Sequence, residues 1–406
     1  MKKYNTTTLD NGLRIIHLHS QSPVVYCGIG INAGARQEQI GEEGLAHFCE
    51  HTTFKGTKRR SALQVLNGLE SVGGDLNAFT NKEDTVFYAA ILKDHLNKAV
   101  DLLCDIVFNS IYPEEEIRHE VDVICDEIES YNDTPAELIY DVFENMIFQN
   151  HPLGHNILGT REQVQSFTGE DARRYTQRYY RPGNAIFFAY GDIDFSRLVK
   201  KLKAETEGLM IERKNKEENQ GSLILSPSTI HTPSHHQAHV MLGSRTFGYD
   251  DKRRMPLYLL NNLLGGPGMN ARLNLSLREK NGLVYTVESS MASYSDTGCW
   301  SVYFGCDHHD VKRCLRLVHR ELDKVMQSPL SNRQLSAAKR QLKGQIAIAC
   351  DNREQYALDF AKNYLHYGKE RSIEELLQRI DDITAAQLQD VAQYVFAPDR
   401  LQLLMI

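Results

Sequence analysis

Apolar residues along this chain fall into two patterns. Short, nearly continuous runs of strand length and rich in β-branched and aromatic residues occur at Val24-Val25-Tyr26-Cys27-Gly28-Ile29-Gly30-Ile31, Thr85-Val86-Phe87-Tyr88-Ala89-Ala90-Ile91-Leu92, Ala238-His239-Val240-Met241-Leu242 and Trp300-Ser301-Val302-Tyr303-Phe304. Between them lie stretches with helical periodicity. One starts at Pro113, with proline in the first turn and Glu114-Glu115-Glu116 against the positive end of the helix dipole. Ile117, Val121, Ile124 and Ile128 follow at i, i+4, i+7 and i+11, one buried stripe. Strands and helices do not alternate strictly. The pattern therefore predicts an α+β fold of mixed, mainly antiparallel sheets with helices packed on one face.

The pattern also repeats. Thr168-Gly169-Glu170-Asp171 opens a helix that runs to Tyr179-Tyr180-Arg181-Pro182 and a closing strand, Ala185-Ile186-Phe187-Phe188-Ala189-Tyr190. Thr384-Ala385-Ala386-Gln387 runs in the same way to Tyr394-Val395-Phe396-Ala397-Pro398 and Leu401-Gln402-Leu403-Leu404-Met405-Ile406, with the same threonine-to-proline spacing. Paired glycines, Gly73-Gly74 and Gly265-Gly266, end an apolar helix in each half. Two homologous domains are expected, 1–210 and 231–406, joined by a charged linker at 211–230 that has no apolar residue from Glu212 to Ser222. Two unrelated domains with similar punctuation would read alike.

At 406 residues the chain exceeds one compact core. Its apolar fraction of 41% and charged fraction of 24% are ordinary for a soluble globular protein, and a net charge of -7 gives no basis for nucleic acid or a membrane as partner. Met1-Lys2-Lys3 is followed by no apolar segment, so secretory export is not expected. The 8 cysteines contain no C-x-x-C pair and read as reduced, buried side chains of a cytoplasmic protein.

Candidate chemistry centres on His47-Phe48-Cys49-Glu50-His51. On a helix, positions i and i+4 share a face, so His47 and His51 can reach one ion, and Glu50 lies in the same sector, beside any water there. The order reverses the His-Glu-x-x-His pattern. A surface helix with i,i+3 and i,i+4 polar pairs would carry the same residues. Cys49 points away from both histidines, which favours packing over ligation or nucleophilic attack. A catalytic zinc takes three protein ligands and keeps one position open, so a second segment must contribute. Glu120 and Glu127 lie two turns apart at the edge of the stripe on the helix after Pro113, whereas Asp126 and Glu129 point to solvent. Glu127 is the better ligand candidate and Glu120 a partner to a ligand. Two boundary glutamates that merely solvate the helix would fit the same periodicity.

His47 to His51, followed by Thr53-Phe54-Lys55-Gly56-Thr57, resembles the signature of the inverzincin zinc metallopeptidases, which include insulysin, pitrilysin and the beta subunit of mitochondrial processing peptidase. Gly73-Gly74-Asp75-Leu76-Asn77-Ala78-Phe79-Thr80, Pro152-Leu153-Gly154, Ile157-Leu158-Gly159 and Leu277-Arg278-Glu279-Lys280-Asn281-Gly282-Leu283-Val284-Tyr285 extend the resemblance over both halves. It implies one Zn2+ per chain held by His47, His51 and Glu127, with Glu120 as a further family glutamate and Glu50 as general base. It implies an extended peptide laid along Leu76, Asn77, Ala78 and Phe79, with Arg278 and Tyr285 binding substrate and Tyr285 a donor to the developing oxyanion. Short members of the family close two chains around a chamber, which implies a homodimer in which Arg278 and Tyr285 of one chain complete the partner's site. Two departures stand out: Cys49 replaces a usual leucine or methionine, and Pro267 interrupts the glycines of Gly265-Gly266-Pro267-Gly268.

The competing readings are a non-catalytic scaffold or peptide-binding subunit of the same fold and a thiol hydrolase using Cys49. His119, His235-His236 and His308-His309 are expected at surface or turn positions. Gly265-Gly266-Pro267-Gly268 lacks the lysine and hydroxyl residue of a phosphate loop and reads as a turn.

Overall fold

A computed structural model describes residues 4–209 and 237–406, so Met1 to Lys3, the expected linker at 211–230 and the His235-His236 pair lie outside the described residues. Contacts group the chain into two compact units, one of residues 4–130, 150–209 and 349–371 and one of residues 131–149, 237–348 and 372–406.

In the first unit, β1 (Tyr4–Thr8), β2 (Arg14–His19), β3 (Val24–Ile31), β4 (Asp75–Thr80), β5 (Thr85–Leu92) and β6 (Ala185–Gly191) form a 6-stranded sheet in the order β1-β2-β6-β3-β5-β4. β2 and β6 run parallel and the other pairs antiparallel. The two apolar runs expected as strands pair along their whole length, Val24 with Leu92 through Ile31 with Thr85. A strand that is apolar at every position needs cover on both faces. On one face Val25, Cys27, Ile29, Phe87, Ala89 and Phe187 join a single core with α1 (Leu45–Thr53), α2 (Ala62–Glu70), α3 (Leu96–Asn109) and α4 (Glu114–Asn132), through residues such as Phe48, Leu69, Leu103 and Ile124. On the other, Phe188 and Tyr190 meet Phe360 of helix Arg353–Tyr367.

The second unit holds a 4-stranded antiparallel sheet of β7 (Ala238–Phe247), β8 (Val284–Ser293), β9 (Thr297–Cys306) and β10 (Gln402–Met405), in the order β10-β7-β9-β8. Trp300 is fully buried and packs on Phe396, with ring centroids 4.4 Å apart. Side chains alternate along a strand, so Tyr303 faces the opposite way, where it meets Tyr140 of α5 (Pro135–Ile147).

The internal repeat is physical. Thr168 and Thr384 each cap a helix by accepting from the backbone of the third helical residue, in capping boxes with Asp171 and Gln387. Each helix leads into a strand, β6 or β10, that lies antiparallel beside the first long strand of its own sheet. In the contact grouping α5 falls with the second unit and helix Arg353–Tyr367 with the first. Each covers a second apolar sheet face that the main helical layer leaves open, and no local periodicity specifies which sheet a helix will cover.

For the site, one consequence of this topology matters most. Among the described residues β4 pairs only with β5, so its outer edge ends the sheet.

Candidate metal centre

α1 is buried almost all round, as its composition of Leu45, Ala46, Phe48 and Cys49 between polar positions requires. Gly44 caps it at φ 95, a left-handed conformation that strains any other side chain, and a Cβ there would lie 2.8 Å from the Leu158 carbonyl oxygen. Glu38, itself buried, closes the same end: its carboxylate accepts from the backbone N–H groups of Gly44 (3.1 Å) and Ala46 (2.7 Å) and lies 2.7 Å from His155 Nε2. A carboxylate at this end also faces the positive pole of the helix. At the other end Thr52 and Thr53 donate to the carbonyls of Phe48 (2.7 Å) and Cys49 (2.6 Å). The helix thus fixed holds the His47 and His51 rings 4.6 Å apart.

α4 brings the third group. Glu127 Oε2 lies 3.3 Å from His51 Nε2 and 3.8 Å from His47 Nε2, and one ligand atom from each residue falls within 4.8 Å of the other two. Ligands about 2.0–2.1 Å from a tetrahedral zinc stand roughly 3.3 Å apart, so the donor set and its spacing fit that ion. His51 Nδ1 is 2.9 Å from Glu120 Oε1, which leaves Nε2 to face the cluster, and the other oxygen of Glu120 pairs with Lys55. His47 Nδ1 is buried and has no hydrogen-bond partner among the described residues.

The two histidines differ in their electrostatics. Burial, with His51 alongside, lowers the pKa of His47 to about 4, so its ring is neutral, as a ligand must be. Burial acts against a charge on His51 too, but its hydrogen bonds to Glu120 and Glu127 outweigh it and raise the pKa to about 9. A cation bound between the three side chains would have to displace the His51 proton. Burial holds Glu50 above the ordinary carboxylate range, against a hydrogen bond of 2.8 Å that Thr80 Oγ1 donates to its Oε2.

Leu76, Asn77, Ala78 and Phe79 lie on β4. Arg278 is exposed near the end of a π-helical segment, Asn274–Glu279, and Tyr285, at the start of β8, is 83% exposed. Both belong to the second unit. Cys49 is fully buried with its Sγ 3.9 Å from the Ala172 carbonyl oxygen, and burial raises its thiol pKa, so it is a packed side chain rather than a nucleophile. His119 is exposed, as are His308 and His309 on the short turn His308–Asp310. Four residues around the centre carry roles that the sequence alone did not assign: Glu38, His155, Lys55 and Thr80. For Glu38 the available signal was an acid a few residues before a helix start; for Thr80 it was a hydroxyl residue ending the edge-strand motif.

The chain matches two family models, Insulinase (Peptidase family M16) over residues 14–161 and Peptidase M16 inactive domain over residues 166–342. It is 31% identical over 405 residues to an uncharacterized zinc protease of Bacillus subtilis, covering 98% of this chain and 96% of that protein. The chain belongs to the M16 peptidase family. A second M16-like relative, an uncharacterized zinc protease of Streptomyces coelicolor, is 32% identical over 403 residues, with 96% of this chain and 86% of that protein covered. The fold of this M16 chain is similar to that of a protease from Helicobacter pylori in its crystal structure, with a TM-score of 0.90 at 22% identity over 100% of this chain and 99% of that one. The expected two-domain α+β fold is thereby established. His47, His51 and Glu127 lie in the stretch matched by the first model, and Arg278 and Tyr285 in the stretch matched by the model described as inactive. Among the described residues, the other cluster of possible metal-binding groups is Asp307, His309 and Asp310, in which Asp307 and His309 are exposed and Asp310 is half-buried.

Proposed function

We propose that this M16 chain is a zinc-dependent endopeptidase, with one zinc per chain, that hydrolyses unfolded or extended peptides. The observation that carries the reading is the convergence of His47, His51 and Glu127 from two helices, with Glu50 on the same helix as the two histidines. A zinc ion held there supplies a Lewis acid that polarises a peptide carbonyl and brings the pKa of water from 15.7 towards about 7. Glu50 takes a proton from the water as its oxygen bonds to the carbonyl carbon, and returns that proton to the leaving amine as the C–N bond breaks; its raised pKa suits a group that must do both. Leu76 to Phe79 hold the substrate by main-chain hydrogen bonds along the outer edge of β4, which selects extended chains over folded ones. Arg278 binds a substrate carbonyl or carboxylate and Tyr285 donates to the oxyanion. In this proposal two chains form a homodimer around a chamber and Arg278 and Tyr285 serve the partner's site, a reading supported by the exposure of both side chains. Buried cysteines such as Cys27, Cys49 and Cys104, with no disulfide, support a reducing, cytoplasmic compartment. Among the described residues no helix is long and apolar enough to cross a membrane.

The test is hydrolysis of an unstructured peptide library. Glu50→Gln should retain zinc by elemental analysis and lose about 10²–10⁴-fold in kcat. His51→Ala and Glu127→Ala should lose the metal. A strong chelator should abolish cleavage and added zinc restore it. A chelated enzyme of undiminished activity would rule out the metallopeptidase, and a zinc-loaded wild type that cleaves nothing would favour the scaffold or peptide-binding subunit instead.

A further inference from the structure

We infer that Thr80 is a positioning residue for the Glu50 base and ties that base to the strand on which the peptide would lie, an inference that rests on the peptidase reading. Thr80 Oγ1 donates to Glu50 Oε2 at 2.8 Å, and this is the only hydrogen bond to the Glu50 carboxylate among the described residues. One oxygen of the base is thus engaged, while the other oxygen remains for a water. A charge-assisted bond of this kind is short and directional, which is what a base requires of its support.

Thr80 is itself held from several sides. It is the last residue of β4 and pairs with Thr85 of β5. In the turn that follows, Asn81 donates through its backbone N–H to the Asp84 carbonyl and through its side chain to Asp84 Oδ1, both at 2.7 Å. The carbonyls of Asn81 and Lys82 accept from the backbone of Ala35 (3.1 Å) and Arg36 (2.7 Å). Asp84 is buried and meets Lys362 Nζ (3.4 Å) and His366 Nε2 (3.0 Å) of helix Arg353–Tyr367, while Lys362 also lies 4.7 Å over the Phe79 ring. The hydroxyl that orients Glu50 therefore belongs to a braced hairpin end. Because side chains alternate along a strand, Thr80 shares a face of β4 with Leu76 and Ala78. A peptide in register with β4 is accordingly in register with the base. Misplacing a reacting group by about 1 Å can cost on the order of 10²-fold in rate, so this link bears on kcat rather than on peptide affinity.

The experiment compares Thr80→Val, which removes the hydroxyl but keeps a β-branched residue in the strand, with Thr80→Ser, which keeps the hydroxyl. Thr80→Val should lower kcat about 10–100-fold with KM within about twofold of wild type and zinc content unchanged, and Thr80→Ser should recover most of the loss. Full activity of Thr80→Val, a change confined to KM, or loss of zinc would each overturn the inference. Crystal structures of the zinc-loaded wild type and Thr80→Val chains give a second readout: the Glu50 carboxylate should hold one orientation in the first and rotate or spread in the second. If the wild type cleaves no peptide, the peptidase reading fails on its own account, and an unmoved Glu50 in Thr80→Val would separately sink the positioning role.

Discussion

At the scale of single residues, the centre is asymmetric. His51 has its second nitrogen held by Glu120, and Glu120 is in turn held by Lys55, whereas His47 Nδ1 is buried without such a partner. The orientation of one candidate ligand therefore depends on Glu120. Removing a carboxylate that orients a ligating histidine typically weakens metal binding about 10–100-fold. Glu120→Ala should do so, and Glu120→Gln less, because its amide oxygen can still accept from Nδ1; competition with a chromophoric chelator measures both. Wild-type affinity in Glu120→Ala would deny Glu120 any part in holding the metal. The sequence made some of this legible and not the rest. His47, Glu50 and His51 stand at spacings that only a helix turns into one face, and Glu120 and Glu127 follow from the face of α4. Thr80 and Glu38 reach α1 across a strand end and a loop, contacts with no fixed sequence spacing, so no local pattern disclosed them.

At the scale of elements, the same limit recurs. Threonine caps, paired glycines and apolar runs marked helix starts, helix ends and strands, because each is a local consequence of backbone hydrogen bonding and packing. The placement of helix Arg353–Tyr367 against β3 and β6 is not local, and its grouping with the first unit had no signature in its periodicity. That helix braces the turn after β4 through Asp84. Burial opposes ionisation of Asp84, but the hydrogen bond from His366 and the charges of Lys362 and His366 prevail and hold its carboxyl below the ordinary range. The folded chain thus binds this proton more weakly than the unfolded chain, so the contribution to stability is complete above about pH 4, the unfolded value, and fades as pH falls further through the folded one. Asp84→Asn should cost about 2–3 kcal/mol in urea unfolding at pH 7. The difference from wild type should narrow only below about pH 4. A gap of constant size from pH 7 to pH 3 would mean that the Asp84 charge does not brace the turn.

At the scale of the whole molecule, the proposed function turns on which chain would supply Arg278 and Tyr285 to each site. Tyr285 is 83% exposed and Arg278 is exposed within a segment with π-helical hydrogen bonding, a geometry that recurs at functional sites. Among the described residues neither side chain is used to build its own unit, which fits the proposed role on a bound peptide. In a twofold dimer with shared sites, a Glu50→Gln chain mixed with a Tyr285→Phe chain generates one intact site and one doubly altered site in each mixed dimer. Random exchange makes half of all dimers mixed, so activity should rise to about a quarter of wild type. If each chain completes its own site, mixing leaves every site with one defect, and activity stays at the average of the two variants. Light scattering on the same samples separates the remaining case: a fully active monomer would place Glu50 and Tyr285 in service of the same chain and remove the dimeric chamber from the mechanism.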